Sequence, residues 1–327
     1  MIDFRYHLVS LVGVFLALAI GVVLGAGPLR DSIGDTLSSQ VDLLREDRVR
    51  LQSQVDDLAS QLAARDAALS SLAPVVAGQA LAGTSTVVVA LPGADPELVA
   101  DLVDGVEDAA GSVSGVVSVE EEWTAPESAA LRDDTAASLP EQALTSLAAD
   151  EVGTPAVLAA ALADAVAAPG SGLGGTASVA GSQVLEVLAT ADLVSVDGDP
   201  ALRAGTALVV APGAESEPGA GDEAWSASRS TAELALLAAL EQTSGSVVLT
   251  GPGSAADEGG AITVLRQDGL AAQVSGVDGA ASPAGSLAVV LALREQLDGG
   301  AGQYGSRQGD DAALPALDPQ AAPGGGR

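Results

Sequence analysis

Cysteine is absent from the 327 residues, and so is lysine. Without cysteine there is no disulfide framework and no thiolate for catalysis or metal binding, and thiol usage says nothing about compartment. Without lysine there is no P-loop. Histidine and methionine occur once each, as His7 and Met1. A Ser-His-Asp set therefore cannot form in a domain remote from the N-terminus. Aromatic residues make up 2% of the chain, so any core must be built from Val, Leu and Ala, which bury less area per residue than Phe or Trp. All 13 basic residues are arginine, against 44 acidic ones, for a net charge of −31. A surface this negative repels phosphate backbones and anionic headgroups, which argues against nucleic-acid binding.

What is present begins with an apolar run from Leu8 to Leu24, broken only by Ser10. With the glycines that follow, it approaches the roughly 20 residues a membrane helix needs. A cleaved signal peptide is the rival reading, but its apolar core is usually only ~7–15 residues. Residues 1–27 therefore read as a retained, single-pass transmembrane anchor. Arg5 precedes the run, whereas Arg30 follows it in company with Asp31 and Asp35. That asymmetry leans towards an N-inside orientation, with the bulk of the chain extracytoplasmic at the cell membrane. Gly13, Ala17, Gly21 and Gly25 recur every four residues and form one stripe of small side chains on a helix. Such a stripe lets two membrane helices approach closely, although small residues are common in membrane spans anyway.

Residues 28–73 have a different grammar. Leu37, Val41, Leu44, Leu51, Val55, Leu58, Leu62, Leu69 and Leu72 follow alternating steps of four and three, with Arg48 and Arg65 in the two remaining slots. A repeat of about 3.5 residues held this long predicts a coiled-coil stalk, pairing as a homodimer or with another envelope protein's coil. From Leu29 to Leu72 it would reach roughly 65 Å. The other reading is one amphipathic helix lying on a globular domain. The seam arginines fit a role in fixing register or in facing an acidic partner coil.

Pro74 and Gly78 are expected to end the helix. Residues 84–298 then alternate short β-branched runs with helical segments. Strands are expected at Thr86–Leu91, Val113–Val119, Leu193–Val196, Ala207–Ala211, Val247–Thr250 and Val274–Val277. Helices are expected at Pro96–Ala109, Ala156–Ala168, Gln183–Ala191, Ser230–Gln242, Ala261–Gln267 and Ser286–Leu297. The fold class is α/β: a mostly parallel, Rossmann-like sheet covered on both faces. Gly213 to Asp222 reads as a long surface loop. Residues 299–327, rich in Gly, Ala, Asp, Gln and Pro, read as a disordered tail.

Few motifs carry chemistry. Pro92-Gly93, Pro212-Gly213 and Pro252-Gly253 each follow a predicted strand. They are turn punctuation, or the crest where α/β sheets bind ligands. Gly170-Ser171-Gly172-Leu173-Gly174-Gly175 spells a dinucleotide fingerprint but follows a helical stretch, so it reads as a loop. Glu120-Glu121-Glu122, Asp133-Asp134 and Glu215/Glu217/Asp222/Glu223 read as solvated acidic faces, without the ligand spacing of a calcium loop. No catalytic, cofactor-binding or metal residue is assigned.

The opening Phe4-Arg5-Tyr6-His7-Leu8-Val9-Ser10, followed by Val14-Phe15-Leu16-Ala17-Leu18-Ala19-Ile20-Gly21, resembles the MctB family of actinobacterial copper transport proteins. Pro283-Ala284-Gly285-Ser286-Leu287-Ala288, Leu293 and Gly302-Gln303-Tyr304-Gly305 are similar to that family as well. The resemblance implies an envelope protein linked to copper export or to an outer-membrane pore. It also brings in relatives described as coiled-coil cell-division factors, which act with a membrane partner on cell-wall hydrolysis. Copper favours thiolate, thioether and imidazole, and beyond residue 7 the chain has none of these. The expectation is therefore a non-enzymatic coiled-coil interaction or scaffold protein, with cell-wall remodelling or cell separation alongside a membrane partner as the process it would regulate, and copper transport or homeostasis as the alternative.

Overall fold

The computed structural model describes residues 4–26, 28–140, 153–168, 178–217, 219, 222–307 and 310–316. They form two compact units, residues 1–65 and 66–327. The first unit holds α1 (Phe4–Ala26) and most of α2 (Pro28–Ala77). α1 is long and apolar enough to cross a membrane. Pro28 opens α2, where a proline's missing N–H would have had no partner in any case. Pro74 does not end this helix, as expected from sequence, but lies inside its last turns. Its carbonyl still accepts from the Gly78 N–H at 3.1 Å, so only the bond that Pro74 cannot donate is lost.

The second unit is a seven-stranded sheet with helices on both faces. In chain order its elements are β1 (Ser85–Ala90), α3 (Pro96–Asp108), β2 (Ser112–Val119), α4 (Ala129–Ser138), α5 (Thr154–Val166), α6 (Val179–Thr190) and β3 (Val194–Gly198). There follow β4 (Thr206–Val210), α7 (Glu223–Ser244), β5 (Val247–Thr250), α8 (Ala261–Gln267), β6 (Ser275–Val277), α9 (Pro283–Leu297) and β7 (Gln303–Tyr304). The strand order is β3-β2-β1-β4-β5-β6-β7. Every pairing is parallel except that of β3 with β2.

Side-chain alternation builds two cores from one sheet. Val87, Val89, Val209 and Leu249 point into one, with α5, α6, α7 and α8. Val88, Leu208, Val210 and Val248 point into the other, with α3, α9 and Ala77 at the end of α2. Strands buried on both faces read as unbroken apolar runs, which is why β1, β4 and β5 were legible in the sequence. Edge strand β3 buries only Val194. Beside it, the register slips at Val87, which pairs with Gly115 after Thr86 has paired with Val113. Gly115 is needed at this bulge, because a Cβ there would lie 2.7 Å from the Asp197 carbonyl oxygen.

Helix starts are set by short polar side chains. Asp95 accepts from the Glu97 N–H and Ser282 from the Gly285 N–H, each ahead of a first-turn proline. Asp222 accepts from the N–H groups of Ala224 and Trp225. It thereby starts α7 seven residues before the expected Ser230. α4 was not anticipated; its sequence, AALRDDTAAS, has a weak apolar period.

The expected disordered tail needs correction over residues 299–307 and 310–316. Gln303 and Tyr304 pair in parallel with Gly276 and Val277, and Tyr304 is 5% exposed. The composition was too polar to predict order, but this segment docks on a preformed sheet edge instead of building a core of its own. The expected surface loop is corrected at Glu217, which is buried.

Leu208 is fully buried in the middle of β4, so Leu208→Ala is expected to destabilise the protein by ~2–5 kcal/mol. Asp222→Ala, which removes one cap, should lose ~1 kcal/mol. Urea denaturation of both variants checks the ranking.

Candidate functional site

The residues singled out in the sequence fall on the first two helices. Gly13, Ala17, Gly21 and Gly25 all lie on α1. A Cβ added at Gly13, Gly21 or Gly25 would meet nothing within 4 Å among the described residues. The seam positions from Leu37 to Leu72 all lie on α2; the side chain of Leu37 is outside the described residues. Leu44, Leu51, Val55, Leu58, Leu62 and Leu72 are between 53% and 67% exposed, and Val41 is 39% exposed. Leu69 is half-buried, while Arg48 and Arg65 are exposed. A line of apolar side chains is thus left uncovered by its own chain.

The other candidate is the crest at the carboxyl ends of the parallel strands, where strand order reverses between β1 and β4. Open α/β sheets place ligands at such a reversal. Here the Pro-Gly segments form turns at the strand ends. The Ala94 N–H donates to the Leu91 carbonyl at 3.0 Å, with Gly93 at a φ of +82°. At Gly213, a Cβ would lie 2.4 Å from Ser254 Oγ, so the glycine makes room for a neighbouring loop.

The C-terminal segment straps the far side of the crest. Arg307 donates to the Gly253 carbonyl at 2.7 Å and pairs with Asp257. The Ser306 N–H donates to Asp278. Arg266 holds Asp278 at 3.3 Å and Asp310 at 2.6 Å. Burial pushes the Asp310 carboxyl up, against the pull of the Arg307 N–H and of Arg266.

A second ion cluster lies beneath the loop after β4. Arg229 of α7 meets Glu217 at 2.5 Å and lies 3.8 Å from Glu233 one turn along. All three side chains are buried. Arg229 also donates to the Gly259 carbonyl, and Glu217 accepts from the Ala261 N–H at the start of α8. Burial raises the Glu217 carboxyl, opposed by Arg229. It pushes Glu233 up to about 8, aided by the charge of Glu217. Burial and the charge of Glu217 thus favour the protonated form of Glu233, while Arg229 pulls both carboxyls the other way. Sequence reasoning missed it because Glu217 sits in an acidic run that reads as solvated, and nothing local marks Arg229 as its partner.

These clusters pin loops together. Among the described residues, no group of three or more His, Asp or Glu converges as a metal-ligand set. Glu120 to Glu122 flank a turn that receives Arg132, whose guanidinium donates to the Glu122 and Ala125 carbonyls. Asp133 and Asp134 are exposed on α4. Residues 170–175 lie outside the described residues. Among the described residues, α2 presents a long line of exposed apolar side chains.

Comparison with known proteins gives a coherent result. The family described as "Copper transport outer membrane protein, MctB" matches residues 1–315. The Mycobacterium tuberculosis (strain ATCC 25618 / H37Rv) protein named "Copper transporter MctB" is 32% identical over 320 residues, covering 94% of this chain and 98% of the relative. The Mycobacterium leprae (strain TN) protein of the same name is 31% identical over 323 residues, with the same coverage.

Two variants probe the buried cluster. Arg229→Met strands the Glu217 carboxylate and should destabilise the protein by ~3–5 kcal/mol. Glu233 has its folded pKa raised, so its contribution is fully present below the ordinary carboxylate range and is lost as pH rises towards about 8. Glu233→Gln should therefore match the parent in stability below the ordinary carboxylate range, become the more stable of the two as pH rises through it, and keep a constant advantage well above about pH 8. Urea midpoints across that range measure the gap.

Proposed function

The chain belongs to the MctB family, and on that footing we propose that it is a membrane-anchored envelope protein acting through protein contacts. In this reading residues 1–27 anchor it, residues 28–73 form a coiled-coil stalk, and the Rossmann-like α/β unit is a non-enzymatic docking body outside the membrane. The observation that carries the proposal is the uncovered apolar line along α2. Exposed Leu and Val at coiled-coil spacing are unfavourable in water and favour a second helix. The strand order, reversing between β1 and β4, supports the Rossmann-like description. What the family resemblance implies, relatives described as coiled-coil cell-division factors, suggests cell-wall remodelling or cell separation with a membrane partner as the process served.

A second reading is copper transport or homeostasis, favoured by the printed names of the relatives. The donor set defines what it would require. The one histidine is His7 and the one methionine Met1, with no cysteine. Beyond residue 7, copper as cargo would meet carboxylate, amide and backbone oxygen, which hold it weakly and unselectively.

One experiment separates the two readings. The full chain and a version with residues 37–72 scrambled are each captured from crosslinked membranes, and copper content is measured in cells carrying either or neither. The interaction reading expects a partner captured only with the native stalk, and copper content indifferent to the stalk. Altered copper on deletion, restored equally by both versions and without a stalk-dependent partner, would replace it with the transport reading.

A further inference from the structure

We propose that the partner on the α2 seam is a second copy of this chain, parallel and in register, with each seam arginine bonded to an aspartate of the other copy. This rests on the interaction reading above and specifies its occupant.

The seam has two rails, and they differ in kind. Val41, Arg48, Val55, Leu62 and Leu69 lie on one, spaced by seven. Leu37, Leu44, Leu51, Leu58, Arg65 and Leu72 lie on the other. Val76, 39% exposed, continues the first rail. Valine recurs on the first rail, while the second is leucine at every position but one. In heptad terms the steps make the valine rail position a and the leucine rail position d. β-branched a with leucine d is the combination that favours two parallel strands. Two copies anchored by α1 in one membrane also share an N-to-C direction, so their stalks leave the surface side by side.

The arginines then find their charges. In a parallel pair, an a side chain enters a hole whose rim includes the residue just before the opposing a position. A d side chain enters one whose rim includes the residue just after the opposing d position. The residue before Arg48 is Asp47, and the residue after Arg65 is Asp66. Each arginine is thus flanked by an aspartate on the side where the second copy needs it. The two-fold symmetry of the pair makes every such contact twice: Arg48 to the partner's Asp47, and Arg65 to the partner's Asp66. A long guanidinium stem can cover the seam while its head reaches that rim. Within one chain, Arg48 and Arg65 form no ion pair among the described residues. Asp47 is held only by Arg50, in an ion pair whose side chains are 50% and 64% exposed. Such a pair is weak and exchangeable. A one-heptad slip would separate both arginines from both aspartates, so the contacts select register.

The absence of cysteine makes a direct test clean. Leu44→Cys and Leu72→Cys are introduced separately into the full chain in membranes, and disulfide-linked dimers are quantified after mild oxidation. Parallel in-register pairing gives same-position dimers at both sites, because only there do the Cα atoms come within disulfide range. An antiparallel pair allows neither. Two sign-reversed backgrounds follow, Arg48→Asp with Arg65→Asp, and Asp47→Arg with Asp66→Arg. Each alone should lower crosslinking at least several-fold, and co-expression of the two should restore it, which also shows that both variants remain competent to fold. Absence of dimers at either site, undiminished crosslinking in the reversed backgrounds, or no restoration on mixing would each overturn the proposal. If same-position dimers fail but stalk-dependent capture of another envelope protein persists, the seam belongs to that protein and the broader interaction reading stands. Failure of both overturns both.

Discussion

Strands β1, β4 and β5 are covered on both faces, so their N–H and C=O groups have only neighbouring strands to bond with and their side chains only helices to touch. That double burial organises the second unit. It makes the strands short runs of Val, Leu and Ala, places α5 to α8 on one side and α3 and α9 on the other, and leaves the charge to helix surfaces, caps and loops. A core with almost no aromatics depends on this arrangement, since small side chains must meet partners above and below to bury enough area. The one fully enclosed tryptophan, Trp123, lies under the turn after β2 and joins the larger core.

The strong acidity shapes the rest. With so few arginines, several of those in the second unit hold segments together. Arg132 gathers the carbonyls of the turn before α4. Arg229 ties the loop after β4 to the starts of α7 and α8. Arg266 and Arg307 fasten the C-terminal segment over the ends of β5 and β6. Arg229, Arg266 and Arg307 join separate segments of the chain, whereas Arg132 closes a local turn, so these loops are fixed by a few side-chain contacts. The arginines of α2 differ, because they are exposed on a helix that its own chain leaves uncovered.

How much was legible followed from how local each signal was. The strand runs at Val87 to Ala90 and Val247 to Thr250, the proline-led start of α3, and the repeat on α2 are written in neighbouring residues and lie at or near their expected positions, whereas α9 begins at Pro283, three residues before the expected Ser286. Pro74 misled because a proline near a helix end removes a single donated bond. The tail misled because Gln303 and Tyr304 have no order of their own; they gain it from Gly276 and Val277, about 27 residues upstream. Glu217 misled because its charge partner is on another element. The seam and the small-residue stripe were named from spacing alone, and their occupants are a matter for the experiments above.

The sequence by itself determined the α/β class, the apolar first helix, the spacing along α2, the family, and the narrow donor set that limits nucleophile and metal chemistry. All of these are properties of composition or of short-range period, which survive without knowledge of contacts. Only the tertiary structure decided the strand order with its single antiparallel edge, the docking of the C-terminal strap beyond β5 and β6, and the burial of Glu217 and Glu233 around Arg229. Those depend on which distant segments share a low-dielectric interior, where the same carboxylate that would be a solvated charge on a loop becomes a proton holder or one half of an ion pair.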